Sequence, residues 1–290
     1  MMNNYIELVD RKLDEFMGIE YPESIFKSVK YTVTLPGKRL RPVMCMEACR
    51  IMGGNPEKAL PTACAIEMLH AQSLIHDDLP CMDNDDFRRG KPSNHKVFGE
   101  AIAVLAGDAL LSFAPQIIIE KSDLSPEILL KVLHEFVSAA GAYQLIAGQV
   151  ADIESEQGKG KLNNSDEKTL KFIHTNKTAV LFKLALKTGA IIAGAPQDKI
   201  DEMENFGQKF GLAFQIYDDI MDEISTFEEL GKTIGKDKEA GKLTYVTLYG
   251  LEAAKEKVHE LVKEAHDIIN KYNSEILSDM LDKMLAKIER

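Results

Sequence analysis

The chain has 290 residues, 45% of them hydrophobic and 28% charged, which is enough apolar material for a packed core and excludes global disorder. Its formal net charge of -11 excludes nucleic acid as a partner, because gripping a phosphate backbone needs a basic face. The four cysteines, Cys45, Cys49, Cys64 and Cys81, lack both C-x-x-C pairing and the density of a disulfide scaffold, so a reducing compartment is expected.

The first ten residues, M-M-N-N-Y-I-E-L-V-D, carry acids where a signal peptide would be basic and apolar, and a cytoplasmic location is expected. Ile6, Val9, Leu13 and Phe16 then recur at helical spacing. Pro22 suits the first turn of a second helix, which Pro36-Gly37 ends. Arg41-Pro42 opens a third, stopped by Gly53-Gly54; Cys45 and Cys49 share a face of it and read as small buried residues.

Pro56 to Asp78 predicts a long apolar helix, on which His70 and Asp77 lie seven apart and share a face. Pro80 has no N–H to donate and restricts Leu79, so the helix should stop there and pass Asp83 to a loop. Helical spacing resumes from Asn94 to Lys121, and Ser125-Pro126 reads as an N-cap followed by Pro at the first helical position. Gly141 and Gly148 are expected to kink the segment that carries Gln149 and Asp152, and Gly158 to Asn164 reads as a loop. Further helices are expected from Ser165 to Ala195, from Gln197 to Glu223 and from Leu243 onward, with a Lys- and Gly-rich flap at Thr226 to Lys242.

The apolar stretches Ala101–Ile119 and Thr178–Ala195 are interrupted by Asp108 and Pro115 and by Lys183 and Lys187, so no stable membrane insertion is expected. No strand-period run of convincing length is present. The expectation is one all-α domain over residues 1–290, with ten or more helices.

Charge is concentrated in two places. Ile75 to Arg89 reads I-H-D-D-L-P-C-M-D-N-D-D-F-R-R, five aspartates in ten positions followed by two arginines; Asp218, Asp219 and Asp222 form a shorter echo. Like charges about 4 Å apart repel by roughly 4 kcal/mol at an effective dielectric near 20, so a cation is expected between them. Oxygen ligands suit Mg²⁺, which readily bridges one or two carboxylates and a substrate's phosphates. One such aspartate set is as often a solvated turn as a metal site. Two sets, with Lys38, Arg39 and Arg41 and with Arg88, Arg89 and Lys91 nearby, imply a diphosphate. A diphosphate neutralised by metal is a good leaving group, and the carbocation it leaves needs a dry, apolar enclosure.

At these residues the chain resembles the short-chain trans-prenyl diphosphate synthases, the farnesyl and geranylgeranyl diphosphate synthase family. The likeness covers nearly its whole length and is of the bacterial farnesyl type. The motifs are G-K-R-L-R-P from Gly37, H-A-Q-S-L-I-H-D-D-L-P-C-M-D from His70, D-D-F-R-R-G from Asp85, and G-D-A-L from Gly107. They continue with G-Q-x-x-D from Gly148, K-T at Lys177 and G-L-A-F-Q-I-Y-D-D-I-M-D from Gly211.

The resemblance implies an isoprenoid-synthase-like helical bundle around a central cavity, working as a homodimer with three Mg²⁺ per active site. The reaction it implies condenses dimethylallyl or geranyl diphosphate with isopentenyl diphosphate. Asp77, Asp78 and Asp83 would hold metal on one side, and Asp218, supported by Asp219 and Asp222, on the other. Arg88, Lys177, Gln215 and Lys232 would contact the allylic substrate, with Thr178 and Lys242 beside them; Lys38, Arg41, His70 and Arg89 would hold isopentenyl diphosphate. Gln72 and Ser73 would floor the product cavity.

Farnesyl-making relatives of this type carry an aromatic residue where Gln72 stands. A farnesyl product is expected, with the C20 geranylgeranyl product as the alternative. A terpene cyclase would mix Asn, Ser or Thr with Glu in the second acidic set, and an HD-type metal phosphohydrolase would add histidines around His76-Asp77; the chain has neither pattern.

Overall fold

In the computed structural model, residues 1–156, 166–224 and 243–289 are described. The expected flap at Thr226–Lys242, with Lys232 and Lys242, lies outside them, as do the loop at Gly158–Asn164 and Ser165.

The chain runs through α1 (Met2–Phe16), α2 (Glu23–Val33), α3 (Leu40–Ile51), a 3₁₀ turn (Pro56–Ala59) and α4 (Leu60–Asp77). A short hairpin, β1 (Phe87–Arg88) and β2 (Lys91–Pro92), leads to α5 (Asn94–Phe98), α6 (Glu100–Lys121), α7 (Pro126–Ala140) and α8 (Leu145–Glu156). Then come α9 (Asp166–Ile173), a π-helical turn (His174–Ala179), α10 (Val180–Ile192), α11 (Gln197–Ile224), α12 (Tyr245–Tyr249), α13 (Leu251–Ile269) and α14 (Glu275–Ile288).

The two helices that are apolar on nearly every side, α4 and α10, lie innermost, because an all-round apolar helix has no face to give to water. α4 packs on α6 and α3; α10 packs on α3 and α11; α11 also carries α13. Phe182 of α10 and Phe210 of α11 meet at 5.0 Å between ring centroids, and Phe206 and Phe214 extend this cluster along α11. Gly211 makes the close approach possible: a Cβ there would lie 2.5 Å from the Ala179 Cα.

Three local expectations are corrected. Asn94–Lys121 is not one helix, because Gly99 at φ 84° ends α5 before α6 begins. Gly141 terminates α7, and Gly148 does not kink α8; it lets α8 press against the π-helical turn, where a Cβ would come within 2.4 Å of the Lys177 backbone nitrogen. One small strand pairing exists, too short to register as a period. Arg89 and Gly90 both have positive φ, the requirement of a two-residue type I′ hairpin, and pair Arg88 with Lys91.

The apolar α6 buries Ala103, Ala106, Leu110, Ala114 and Ile117 in the bundle and leaves Val104, Leu105, Leu111 and Ile119 exposed.

Phe210→Ala should lower unfolding free energy by about 3–5 kcal/mol in a urea titration, since it empties the centre of the aromatic cluster; a loss near zero would place the cluster outside the core.

Candidate active site

The end of α4 is turned back on itself. Asp83 N–H donates to the Asp77 carbonyl at 2.9 Å and Asn84 N–H to that of Leu79 at 3.1 Å, so the loop brings Asp83 beside Asp77. Across a cleft, α11 presents Asp218 and Asp219. All four border one cavity of about 190 Å³, together with Arg88, Lys177, Asp152 and His174.

The aspartates are not equivalent. Asp218 is exposed to the cleft. Asp219 is buried and braced: Gln215 Nε2 donates to it at 2.9 Å, the Tyr245 N–H at 2.8 Å, and His174 Nε2 lies 3.6 Å away. Asp78 is buried and lines none of the described cavities; it receives Arg88 Nε at 2.9 Å and a second contact from Nη2, which aims that guanidinium. Asp222 is also buried and borders none of them.

Burial pushes the Asp77 carboxyl up to about 6, with Asp83 and Asp78 adding to it while Lys177 and Arg88 pull the other way. Burial likewise holds Asp78 at about 6 in spite of Arg88. Among the described residues no three His, Cys, Asp or Glu side chains stand close enough to hold an ion by themselves. The hard oxygen donors, the elevated carboxyls and the spacing across a cleft fit Mg²⁺, which takes one or two carboxylates and completes its shell with water and phosphate oxygens.

A second cavity, about 420 Å³, gathers Lys38, Arg41, His70 and Arg89 as expected, along with Arg39, Glu67 and Phe214. Arg39 is a clip: its donors go to Asp10 and Glu67 at 2.7 Å and to the Val33 and Leu35 carbonyls. Arg89 is held more loosely, 3.3 Å from both Glu67 and the Leu35 carbonyl, and lies against Gly37, where a Cβ would come within 2.8 Å of it.

Arg41 stacks over the Phe182 ring at 4.3 Å with its buried Nε lacking a hydrogen-bond partner, and burial lowers the guanidinium to about 10. Burial, then Arg41 and Arg89, holds His70 well below its ordinary value, so its imidazole is neutral. A neutral donor among four cations, Lys38, Arg39, Arg41 and Arg89, with Glu67 opposing, is a receptor for an anion.

A third cavity, about 630 Å³, is walled by Leu74, Leu111, Ile146, Val150, Ile153 and Leu181, with Gln72 and Ser73 among its polar lining. It joins the basic cavity at Arg41, His70 and Phe214 and the acidic one at Asp77, Lys177, Gln215 and Asp218. At the acidic junction Lys177 donates to Asp152 at 2.5 Å and Thr178 to the Gln215 carbonyl oxygen at 2.5 Å.

Sequence alone gives no role to Glu67, Asp152, His174, Gln149 or Phe214. Glu67 was visible as a lone acid in an apolar helix, and Gln149 and Asp152 stood in a quoted motif. Phe214 stands in the motif that opens at Gly211, and nothing local marks His174.

Acidic walls, an adjoining anion pocket and a shared apolar chamber inside a helical bundle define a class: enclosures that transfer a prenyl group from a diphosphate. Residues 22–284 match the family described as Polyprenyl synthetase, and the chain belongs to that family as a prenyltransferase. It is 45% identical over 273 residues to the chloroplastic geranylgeranyl pyrophosphate synthase 7 of Arabidopsis thaliana, covering 94% of this chain and 78% of that one. It is 46% identical over 278 residues to the chloroplastic heterodimeric geranylgeranyl pyrophosphate synthase large subunit 1 of the same plant, covering 95% and 74%. The crystal structure of geranyltranstransferase from Thermotoga maritima superposes with a TM-score of 0.84 at 31% identity, covering 99% of this chain and 98% of that one.

Because the folded-state value of Asp77 is raised, the native state binds more protons than the unfolded chain between about pH 4 and 6, so this group's contribution is favourable at low pH and lost as pH rises through 6. Asp77→Asn should therefore stabilise the metal-free protein at pH 8 by roughly 2–3 kcal/mol and have little effect near pH 4, read from thermal unfolding at both pH values.

Proposed function

We propose that the chain condenses an allylic diphosphate with isopentenyl diphosphate and extends it to the C20 product, geranylgeranyl diphosphate. One observation carries this reading: the acidic cleft and the basic pocket open into the same apolar cavity, so an allylic carbon and a second diphosphate-anchored substrate can meet away from water.

In this reading Asp77 and Asp83 from one side, and Asp218 from the other, hold Mg²⁺ against the allylic diphosphate. The ion supplies neutralisation of the charge that develops on the departing group. Asp219, fixed by Gln215 and the Tyr245 N–H, sets the second wall; Asp78 acts by aiming Arg88, and Asp222 supports from within the core. Arg88 and Lys177 meet the phosphate oxygens, and Lys232 and Lys242 belong to the same task. Thr178 and Gln215 place their oxygen dipoles beside the carbon that becomes cationic.

Lys38, Arg41, His70 and Arg89 anchor isopentenyl diphosphate, with neutral His70 as a hydrogen-bond donor. Apolar walls exclude water from the cation, and we name no side chain as the proton acceptor.

Between the two products, the C20 alternative has better support than the farnesyl expectation. Position 72 contributes an amide rather than an aromatic ring to the cavity wall, and the curated relatives described above carry geranylgeranyl names. Each further CH₂ adds about 0.8 kcal/mol of burial, so only a steric stop ends growth. Association with a second copy, or with a related subunit as the name of one relative indicates, is supported by the apolar side chains of α6 and α7 that are exposed, including Leu105, Ile119, Leu130 and Val137.

Incubation with Mg²⁺, geranyl diphosphate and isopentenyl diphosphate should release inorganic diphosphate and give a C20 diphosphate by mass spectrometry. A product that stops at C15 restores the farnesyl assignment, and cyclised hydrocarbon or no elongation overturns the reaction. Asp77→Ala and Asp218→Ala should each cut kcat by roughly 100-fold or more with circular dichroism unchanged. Gln72→Tyr should shorten the products; an unaltered profile would move the floor elsewhere.

A further inference from the structure

Gln72 sits five residues before Asp77, about 7.5 Å of helix rise at 1.5 Å per residue. It is bonded to the residue one turn later. Gln72 Nε2 is 3.1 Å from His76 Nδ1, and His76 Nε2 is 3.1 Å from the Val104 carbonyl of α6. A carbonyl oxygen only accepts, so a hydrogen is on Nε2, and the nitrogen facing the Gln72 amide N–H group is the acceptor, Nδ1. Gln72 must then donate, which turns its amide nitrogen toward the ring.

The ring is seated over Gly107, where a Cβ would fall 2.0 Å from Nε2, and the exposed Asp108 carboxylate stands 3.9 Å from the same nitrogen. Gln72, His76 and Asp108 all border the apolar cavity.

We propose, on the prenyltransferase reading above, that product length is governed by Gln72 and His76 as one hydrogen-bonded unit, with His76 the positioning residue. Val104 and Gly107 fix the ring, and the ring draws the Gln72 amide along the α4 face so that a growing chain passes it. Released from His76, the amide has three rotatable bonds and an apolar cavity with few partners. One is Gln149, whose buried amide nitrogen has no hydrogen bond. An amide reaching across the cavity blocks the chain earlier.

His76→Leu keeps bulk and removes both hydrogen bonds. It should move the C20 to C15 ratio toward C15 by roughly fivefold, about what one neutral hydrogen bond contributes, at matched conversion. His76→Gln, whose amide can accept from Gln72 and donate to Val104, should keep the original ratio. In a Gln72→Ala background His76→Leu should produce no further shift, because there is no amide left to release. Gly107→Ala displaces the ring with both partners intact and should reproduce the His76→Leu profile, which covers the case of a leucine variant that does not fold.

An equal shift in both residue-72 backgrounds, or none in either while prenyl diphosphate is still made, overturns the proposal. In ¹⁵N-histidine spectra of the ligand-free protein His76 should be the Nε2–H tautomer, and the Nδ1–H tautomer overturns the pair whatever the activity. Failure of the wild-type protein to elongate any substrate, with the expected tautomer present, would instead sink the reaction reading.

Discussion

Three carboxylates, Asp77, Asp83 and Asp218, face one another across a cleft, and a protein without a cation to place between them gains nothing from that arrangement. Asp77 is held near 6 chiefly by burial, with its acidic neighbours adding to it, so the cleft is destabilising in itself and persists because the surrounding bundle is rigid. α4 and α10, apolar on nearly all sides, and the Phe182–Phe210 contact supply that rigidity. The strain falls where a cation could relieve it, since positive charge between the carboxylates would offset their repulsion.

Neighbouring residues in the chain are given separate tasks. The type I′ turn at Arg89 and Gly90 sends Arg88 to the acidic cleft and Arg89 to the basic pocket, so two adjacent arginines line two different cavities. On α11 the hundred-degree step between Asp218 and Asp219 leaves one facing the cleft and buries the other against Tyr245 and His174. Arg39 and Arg41 divide similarly: the first spends its donors on the protein, the second keeps a buried Nε without a partner beside the cavity. The close approach of α8 to the π-helical turn, which Gly148 permits, sets Lys177 at the junction of two cavities.

The apolar cavity links these devices to one another. Its walls come from α4, α6, α8, α10 and α11, so its depth is a property of the packing as much as of any one residue. Position 72 lies on the helix that also ends in Asp77, so in the proposed reaction the diphosphate anchor and the side chain facing the growing tail share one helical ruler.

By itself the sequence determined the all-helical architecture, because the apolar period persists through nearly every segment and Pro and Gly mark most of the breaks. It determined the inventory of the site as well: aspartates packed this closely have no use in a core, and Lys38, Arg41, His70 and Arg89 do gather in one pocket. Only the tertiary structure decided which charged groups face substrate and which are spent on the fold. Asp78 and Asp83 belong to one motif, yet one is locked to Arg88 and the other lines the cleft. Glu67, Asp152 and Phe214 enter the site through contacts between helices distant in sequence. Spacing along a chain reports which face a side chain shares, whereas the partner waiting on that face is supplied by another helix, and it is the partner that decides whether a charge is used up or left for a ligand.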